Sequence, residues 1–79
     1  MQTTLVYQTE DLDSSKSTLV EKVTGLSKVR AVSPMEWKFV SEIPVGNIAA
    51  YSSGKIVIQS LDGDWAKRVL SFLGGDSME

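Results

Sequence analysis

The side chains best suited to ligand chemistry in this sequence lie around one Ser-Ser-Gly turn. Tyr51 supplies an aromatic ring, Lys55 an ammonium group and Gln59 an amide. A ring can stack on a nucleic-acid base, an ammonium can contact a phosphate, and an amide can hydrogen-bond a base edge. With two neighbouring residues, they form the candidate binding set: Asn47, Tyr51, Lys55, Val57 and Gln59.

Catalytic chemistry has few suitable residues here. The chain has no Cys and no His, which removes thiol nucleophiles, disulfide bonds, the usual general base near neutral pH and the commonest zinc ligands. Asp11 with Asp13, and Asp62 with Asp64, could hold a hard cation. Each pair precedes a helical pattern, however, where carboxylates accept backbone N–H groups and favour the helix dipole. We therefore predict helix caps, no catalytic or metal-binding residues, and no cofactor.

The overall charge does not favour binding through phosphate neutralisation alone. Eight Lys and Arg against ten Asp and Glu give a net charge of −2, the wrong sign for a protein held mainly by phosphates. A local basic or stacking surface can still act within an acidic whole. Any nucleic-acid contact should therefore be confined to one part of the surface.

Alternating apolar and polar residues predict four strands. These strands span residues 3–8, 35–43, 48–51 and 55–60. Turn chemistry over residues 44–47 separates the second strand from the third, and Ser52-Ser53-Gly54 joins the last two into a tight hairpin. In that hairpin Gly54 can adopt the positive φ that other residues resist.

Two amphipathic helices complete the predicted elements. The first follows residues 10–15 and ends near Gly25, with Lys28 and Arg30 at its favourable C-terminal pole. Its apolar stripe consists of Leu19, Val20, Val23 and Leu26. The second ends at Gly74-Gly75, and its apolar face consists of Trp65, Ala66, Val69, Leu70 and Leu73.

The order of these elements is strand, helix, three strands, helix. It predicts an α+β fold in which an antiparallel sheet carries two helices on one face. We expect one domain over residues 1–75 and a polar C-terminal tail over residues 76–79.

The alternation also predicts which sheet residues face away from the helices. Placing Ile56 and Ile58 under the helices exposes the opposite positions: Asn47, Ala49, Tyr51, Lys55, Val57 and Gln59. Such a mixed surface suits contact with a ligand. An antiparallel sheet with one solvated face and a tight turn would give the same pattern without any ligand, so both interpretations stay open.

A resemblance to a known family lies in the run AYSSGKIVIQ, residues 50–59. It is similar to the aromatic-Ser-Ser-Gly-Lys hairpin of the TATA-box-binding protein repeat. It is also similar to the Tyr-x-Ser-Gly-Lys-x-x-x-Gln hairpin of the N-terminal domain of bacterial type-three ribonuclease H. The two families share one fold, in which a strand, a helix, a run of antiparallel strands and a final helix follow one another.

The resemblance implies a role for four residues. Tyr51 would be the wedging or stacking ring and Lys55 the phosphate contact, while Val57 and Gln59 would face the groove. In the ribonuclease, the domain resembled here helps to hold a hybrid duplex, and a separate catalytic domain, which this chain lacks, cuts it. The resemblance therefore implies binding of duplex, hybrid or single-stranded nucleic acid without catalysis.

The sequence also departs from that family. Tyr51 stands where TATA-binding proteins have Phe, and its hydroxyl disfavours deep wedging while allowing stacking. Ser60-Leu61-Asp62 replaces the usual Gly, and Asp62 and Asp64 stand near where a Lys is common. The TATA-binding saddle has two repeats and this chain has one, and a homodimer could rebuild it.

Two functions from different classes therefore remain. The first is a small nucleic-acid-binding module that uses the open face of its sheet. The alternative is a protein-interaction or regulatory module, such as a viral inhibitor or an accessory subunit, and the acidic residues 10–13 and 62–64 motivate it. We predict that the chain is not an enzyme. Residues 1–4 do not begin a signal peptide, and no apolar run is long enough to span a membrane, so we expect a cytoplasmic protein.

Overall fold

The computed structural model describes residues 2–74, which form an antiparallel sheet and two helices. The elements are β1 (Thr3–Gln8), α1 (Leu12–Lys22), β2 (Leu26–Val29), β3 (Met35–Glu42), β4 (Val45–Tyr51), β5 (Lys55–Ser60) and α2 (Gly63–Leu73). The five strands lie in the order β1-β5-β4-β3-β2, and every neighbouring pair is antiparallel. The α+β prediction is confirmed. The expected tail over residues 76–79 lies outside the described residues.

The segment after α1 corrects the predicted element order. Residues expected to end the first helix form β2 instead, so four strands lie between the helices rather than three. Val23, which follows the helix, already has an extended backbone with φ −108° and ψ 124°. Gly25 then takes a φ of +81°, a left-handed conformation through which a helix cannot continue. Leu26 therefore packs on the core from a strand, Lys28 lies within that strand, and Arg30 follows it.

Aspartates begin both helices, as predicted. Asp11 Oδ1 accepts the N–H of Ser14 over 3.0 Å. Asp62 Oδ1 accepts the N–H groups of Asp64 and Trp65 over 3.0 and 3.1 Å. Both carboxylates satisfy backbone donors that have no partner within the helix, which is the cap function the sequence indicated.

One core joins both helices to the same side of the sheet. Its fully buried members include Ile56 and Ile58, which the alternation placed under the helices. Val20, predicted in the apolar stripe of α1, is 60% exposed instead. The buried cluster is Leu19, Val23, Trp37, Phe39, Ile48, Ala50, Ile56, Ile58, Trp65, Ala66 and Val69. Because residues of both helices share this cluster with alternate strand positions, the other face of the sheet carries neither α1 nor α2.

β4 begins earlier than the sequence predicted. The turn before it comprises residues 43–44 rather than 44–47, and Asn47 lies inside the strand. The Ser60 hydroxyl donates to the carbonyl oxygen of Val45 over 2.8 Å. This bond ties the first residue of β4 to the end of β5.

A glycine lets α2 approach β4 closely. A Cβ added to Gly46 would lie 2.7 Å from Cζ3 of Trp65 and 2.9 Å from the Gln59 carbonyl oxygen. The indole ring therefore occupies the space that a side chain on Gly46 would need. No helix within residues 2–74 combines the length and apolarity needed to cross a membrane.

Candidate nucleic-acid interface on the open sheet face

Three rows of side chains make up most of the sheet surface that faces away from the helices, here called the open face. Cross-strand pairing aligns the first row as Thr4, Gln59, Asn47, Val40 and Ser27. The second row is Val6, Val57, Ala49, Lys38 and Val29. The third row lies at the hairpin end and contains Gln8, Lys55, Tyr51 and Met35. All five candidate residues therefore lie on one surface.

Two amides lie side by side in the first row. Asn47 on β4 is the direct register partner of Gln59 on β5, and both side chains are half-buried. Directly opposed positions of this kind have Cβ atoms about 4.5–5.5 Å apart. Neither amide takes part in a side-chain hydrogen bond within residues 2–74. Their donors and acceptors can therefore be offered to a ligand.

The second row is mainly apolar, and one of its residues, Ala49, corrects the exposure predicted from the sequence. Ala49 was expected to be exposed, but it is only 5% exposed although it lies on the open face. Its register partners are Val57 on one side and Lys38 on the other, and both are longer than a methyl group, so they cover it. Val57 and Val6 therefore provide the apolar contact surface of this row.

The hairpin that follows Tyr51 has the glycine conformation the sequence indicated. Gly54 has a φ of +92°, and its N–H donates to the Tyr51 carbonyl oxygen over 2.8 Å. A three-residue loop that ends in a left-handed glycine is a common hairpin connection. The turn places the side chains of Tyr51 and Lys55 at the same end of the sheet.

Neighbouring segments tether the hairpin on both flanks. On one side, Gln8 Nε2 donates to the Ser53 carbonyl oxygen and the Thr9 N–H donates to the Gly54 carbonyl oxygen, each over 2.9 Å. On the other side, the Ser52 N–H donates to the Pro34 carbonyl oxygen over 2.8 Å. These bonds fix the turn to residues before β3 and to the end of β1.

A depression of about 480 Å³ opens beside this turn. The ring of Tyr51, the stem of Lys55 and the side chain of Val57 line it together with Pro34 and the two serines of the turn. Ligand pockets fall in the range of about 300–1,000 Å³, so the depression has room for one planar base. Three of the five candidate residues meet there.

The charges of the open face differ from those of the whole chain. Two of its positions carry ammonium groups, Lys38 and Lys55, and one carries a carboxylate, Glu42 at the end of β3. Glu36 lies at the irregularity between Met35 and Trp37, outside the aligned rows. The acidic clusters of the sequence instead lie at the starts of α1 and α2. The net charge of the chain is therefore not the charge of this surface.

The sequence alone did not place every member of this surface. Thr4, Val6 and Gln8 alternate correctly in β1, but only the strand order puts β1 beside β5. The alternation within β3 puts Lys38 on the side opposite Trp37 and Phe39, but its alignment with Ala49 and Val57 depends on register. Within residues 2–74, no group of three or more potential metal ligands comes together.

Comparison with known proteins gave no matching family, no significant sequence relative and no significantly similar solved structure. The chemistry of the open face is therefore the basis for assigning a function.

Proposed function

We propose that this chain is a small, non-catalytic nucleic-acid-binding module that lays its open face against the nucleic acid. The observation that carries the proposal is the convergence of Tyr51, Lys55 and Val57 on one depression, with the Asn47 and Gln59 amides in a row beyond it. A ring, a cation and paired amides are the groups that contact bases and phosphates. The hairpin similarity and the order of the elements also support a TATA-box-binding-protein-like repeat.

Each group has a distinct part in the proposed contact. A base stacks on the ring of Tyr51 within the depression, and Lys55 contacts a neighbouring phosphate. Val57 and Val6 contact apolar base or sugar surface, while the two amides hydrogen-bond base edges. Lys38, in the second row, contacts another phosphate.

Single-stranded nucleic acid fits this surface best. Five strands spaced by about 4.8 Å make the open face roughly 19 Å wide, whereas the minor groove of a duplex is only about 6 Å wide. A sheet of this width can enter a groove only if the duplex is deformed and its bases are partly unstacked. A single strand can place its bases on the same surface without that cost.

The test is a titration of labelled single-stranded, duplex and hybrid oligonucleotides at low salt, followed by fluorescence anisotropy. We expect saturable binding at micromolar protein, tightest for the single strand. Amide chemical shifts recorded in parallel should change for residues of the open face and not for α1 or α2. Absence of binding to all three oligonucleotides, or shift changes confined to the helices, would rule the proposal out.

Replacing Tyr51 with alanine should weaken single-strand binding by about 1–3 kcal/mol, because that is the usual contribution of one base stacked on an aromatic ring. Tyr51→Phe keeps the ring and should bind as the natural chain does. Anisotropy titrations of both variants measure the difference. Thermal unfolding checks that each variant is folded, and equal losses for alanine and phenylalanine would contradict a stacking role.

The two lysines of the open face should control the salt dependence of binding. Lys38→Gln and Lys55→Gln should each reduce the slope of log K against log salt by about 0.7, the value for one phosphate contact on a single strand. Lys28→Gln is the matched control, because Lys28 alternates onto the helix side of the sheet opposite the buried Phe39. An unchanged slope for Lys38→Gln and Lys55→Gln, or an equal change for Lys28→Gln, would count against the assigned contacts.

A further inference from the structure

Two grooves meet at the C-terminal end of α1, on the side of the molecule that carries the helices. One, of about 280 Å³, lies between this end of α1, the β3–β4 turn and α2. The other, of about 560 Å³, lies between α1 and the β2–β3 part of the sheet. Val23 and Thr24 line both, so the two grooves are neighbours along one surface.

The linings of these grooves carry positive charges only. Lys22 and Arg68 line the first, and Lys16 and Lys28 line the second. No carboxylate lines either groove within the described part of the chain. Half of the basic residues of a chain with net charge −2 therefore surround these two grooves. Asp13 and Glu21 of α1 line an adjoining depression, which shares Lys16 and Val20 with the second groove.

The grooves are also apolar, and part of that apolar surface is exposed to water. Ile43 is 91% exposed and Phe72 is 42% exposed, and both line the first groove. In the second, Val20 is 60% exposed and the recessed ring of Phe39 is buried. Burying such surface in a complex is favourable in proportion to the apolar area removed from water.

We propose that the two grooves bind an acidic amphipathic segment of a protein partner. Its apolar side chains would enter the grooves, and its carboxylates would lie against the four basic residues on the rims. Recognition of this kind combines apolar anchors with complementary charge.

This occupant explains more of the surface than the alternatives do. Nucleic acid would use the cations but would leave Ile43 and Phe72 in water. A membrane surface would contact the projecting Ile43 and Phe72 but would not reach Phe39 and Trp65, which lie recessed in the grooves. The site is on the opposite side of the sheet from Tyr51, so it does not depend on the function proposed above.

The test is selection of peptides from a randomised twelve-residue display library on the immobilised full chain. We expect enrichment of peptides that combine Asp or Glu with large apolar residues. A synthetic enriched peptide should bind Arg68→Glu about fivefold more weakly, because an attractive rim contact becomes repulsive. Lys67→Glu is the matched control, since Lys67 is the exposed neighbour of Arg68 on α2, changes the net charge equally and does not line either groove.

Several outcomes would overturn the proposal. They are no enrichment, enrichment of peptides without acidic residues, and equal weakening by Arg68→Glu and Lys67→Glu. Binding of phosphatidylserine vesicles or oligonucleotides at the grooves, without any peptide, would assign them to another ligand. Tyr51→Ala should leave peptide binding unchanged, so failure here and failure of the nucleic-acid proposal can be told apart.

Discussion

Replacing Gly54 with alanine should destabilise the fold by about 3 kcal/mol, the sum of left-handed backbone strain and steric overlap. Gly54 has a φ of +92°. A Cβ there would also overlap the carbonyl oxygen of Thr9 and lie 2.9 Å from Gln8 Nε2. Because the Thr9 oxygen belongs to the backbone of the adjoining segment, the hairpin would have to move away from β1. Equilibrium unfolding in urea measures the loss.

The Gly25→Ala variant measures the left-handed backbone strain without the steric overlap. Gly25 has a similar φ of +81°, but a Cβ there would meet no atom within 4 Å. Its replacement should cost only the backbone strain, about 1 kcal/mol. If the two variants were equally stable, the close packing of the turn against the end of β1 would have no energetic weight.

The second large effect is expected at two adjacent residues of β5. Ile58→Ala should cost about 3 kcal/mol of stability, in the usual range for truncating a buried isoleucine. Ile58 is fully buried, with Leu5 of β1 and Ile48 of β4 as register partners. Val57→Ala, on the open face, should cost less than about 1 kcal/mol of stability. It should nevertheless weaken nucleic-acid binding, because Val57 lines the depression beside Tyr51.

Urea unfolding and oligonucleotide titration of both variants provide four measurements. We expect Ile58→Ala to lose mainly folding stability and Val57→Ala to lose mainly affinity for nucleic acid. Ile58→Ala should still bind under conditions in which it remains folded. A larger stability loss at Val57 than at Ile58 would mean that the two faces of the sheet have been assigned the wrong way round.

Strong local patterns predicted much of the fold from the sequence. β1 and β5 have the predicted bounds, because strict alternation and the Ser-Ser-Gly turn leave little freedom in register. The caps at Asp11 and Asp62 and the burial of Ile56 also follow from local rules. These features depend on residues that are close together in the chain.

The sequence pattern did not predict β2, because the helical spacing of the apolar residues in α1 continues into this strand. Leu19, Val23 and Leu26 follow one another at helical spacing, yet the last of them belongs to a strand. A four-residue strand is too short for alternation to compete with that pattern. The positive φ of Gly25 decides between the two, and the residue type alone permits either a frayed helix end or a turn.

The candidate site could be predicted only in part for a related reason. Alternation identifies the side of β4 and β5 that faces away from the core, but not the strand beside β5. Strand order brings Val6 and Gln8 to the site, and register covers Ala49 with Val57 and Lys38. Such pairings join residues far apart in sequence, which local pattern does not report.

The tethers on the Ser-Ser-Gly turn bear on the thermodynamics of binding. A mobile loop loses conformational entropy when a ligand orders it, and that loss reduces affinity. Here the hydrogen bonds from Gln8 and Thr9, and the one to Pro34, order the turn during folding. The turn beside a stacked base is therefore already ordered before binding, and binding loses little of its conformational entropy.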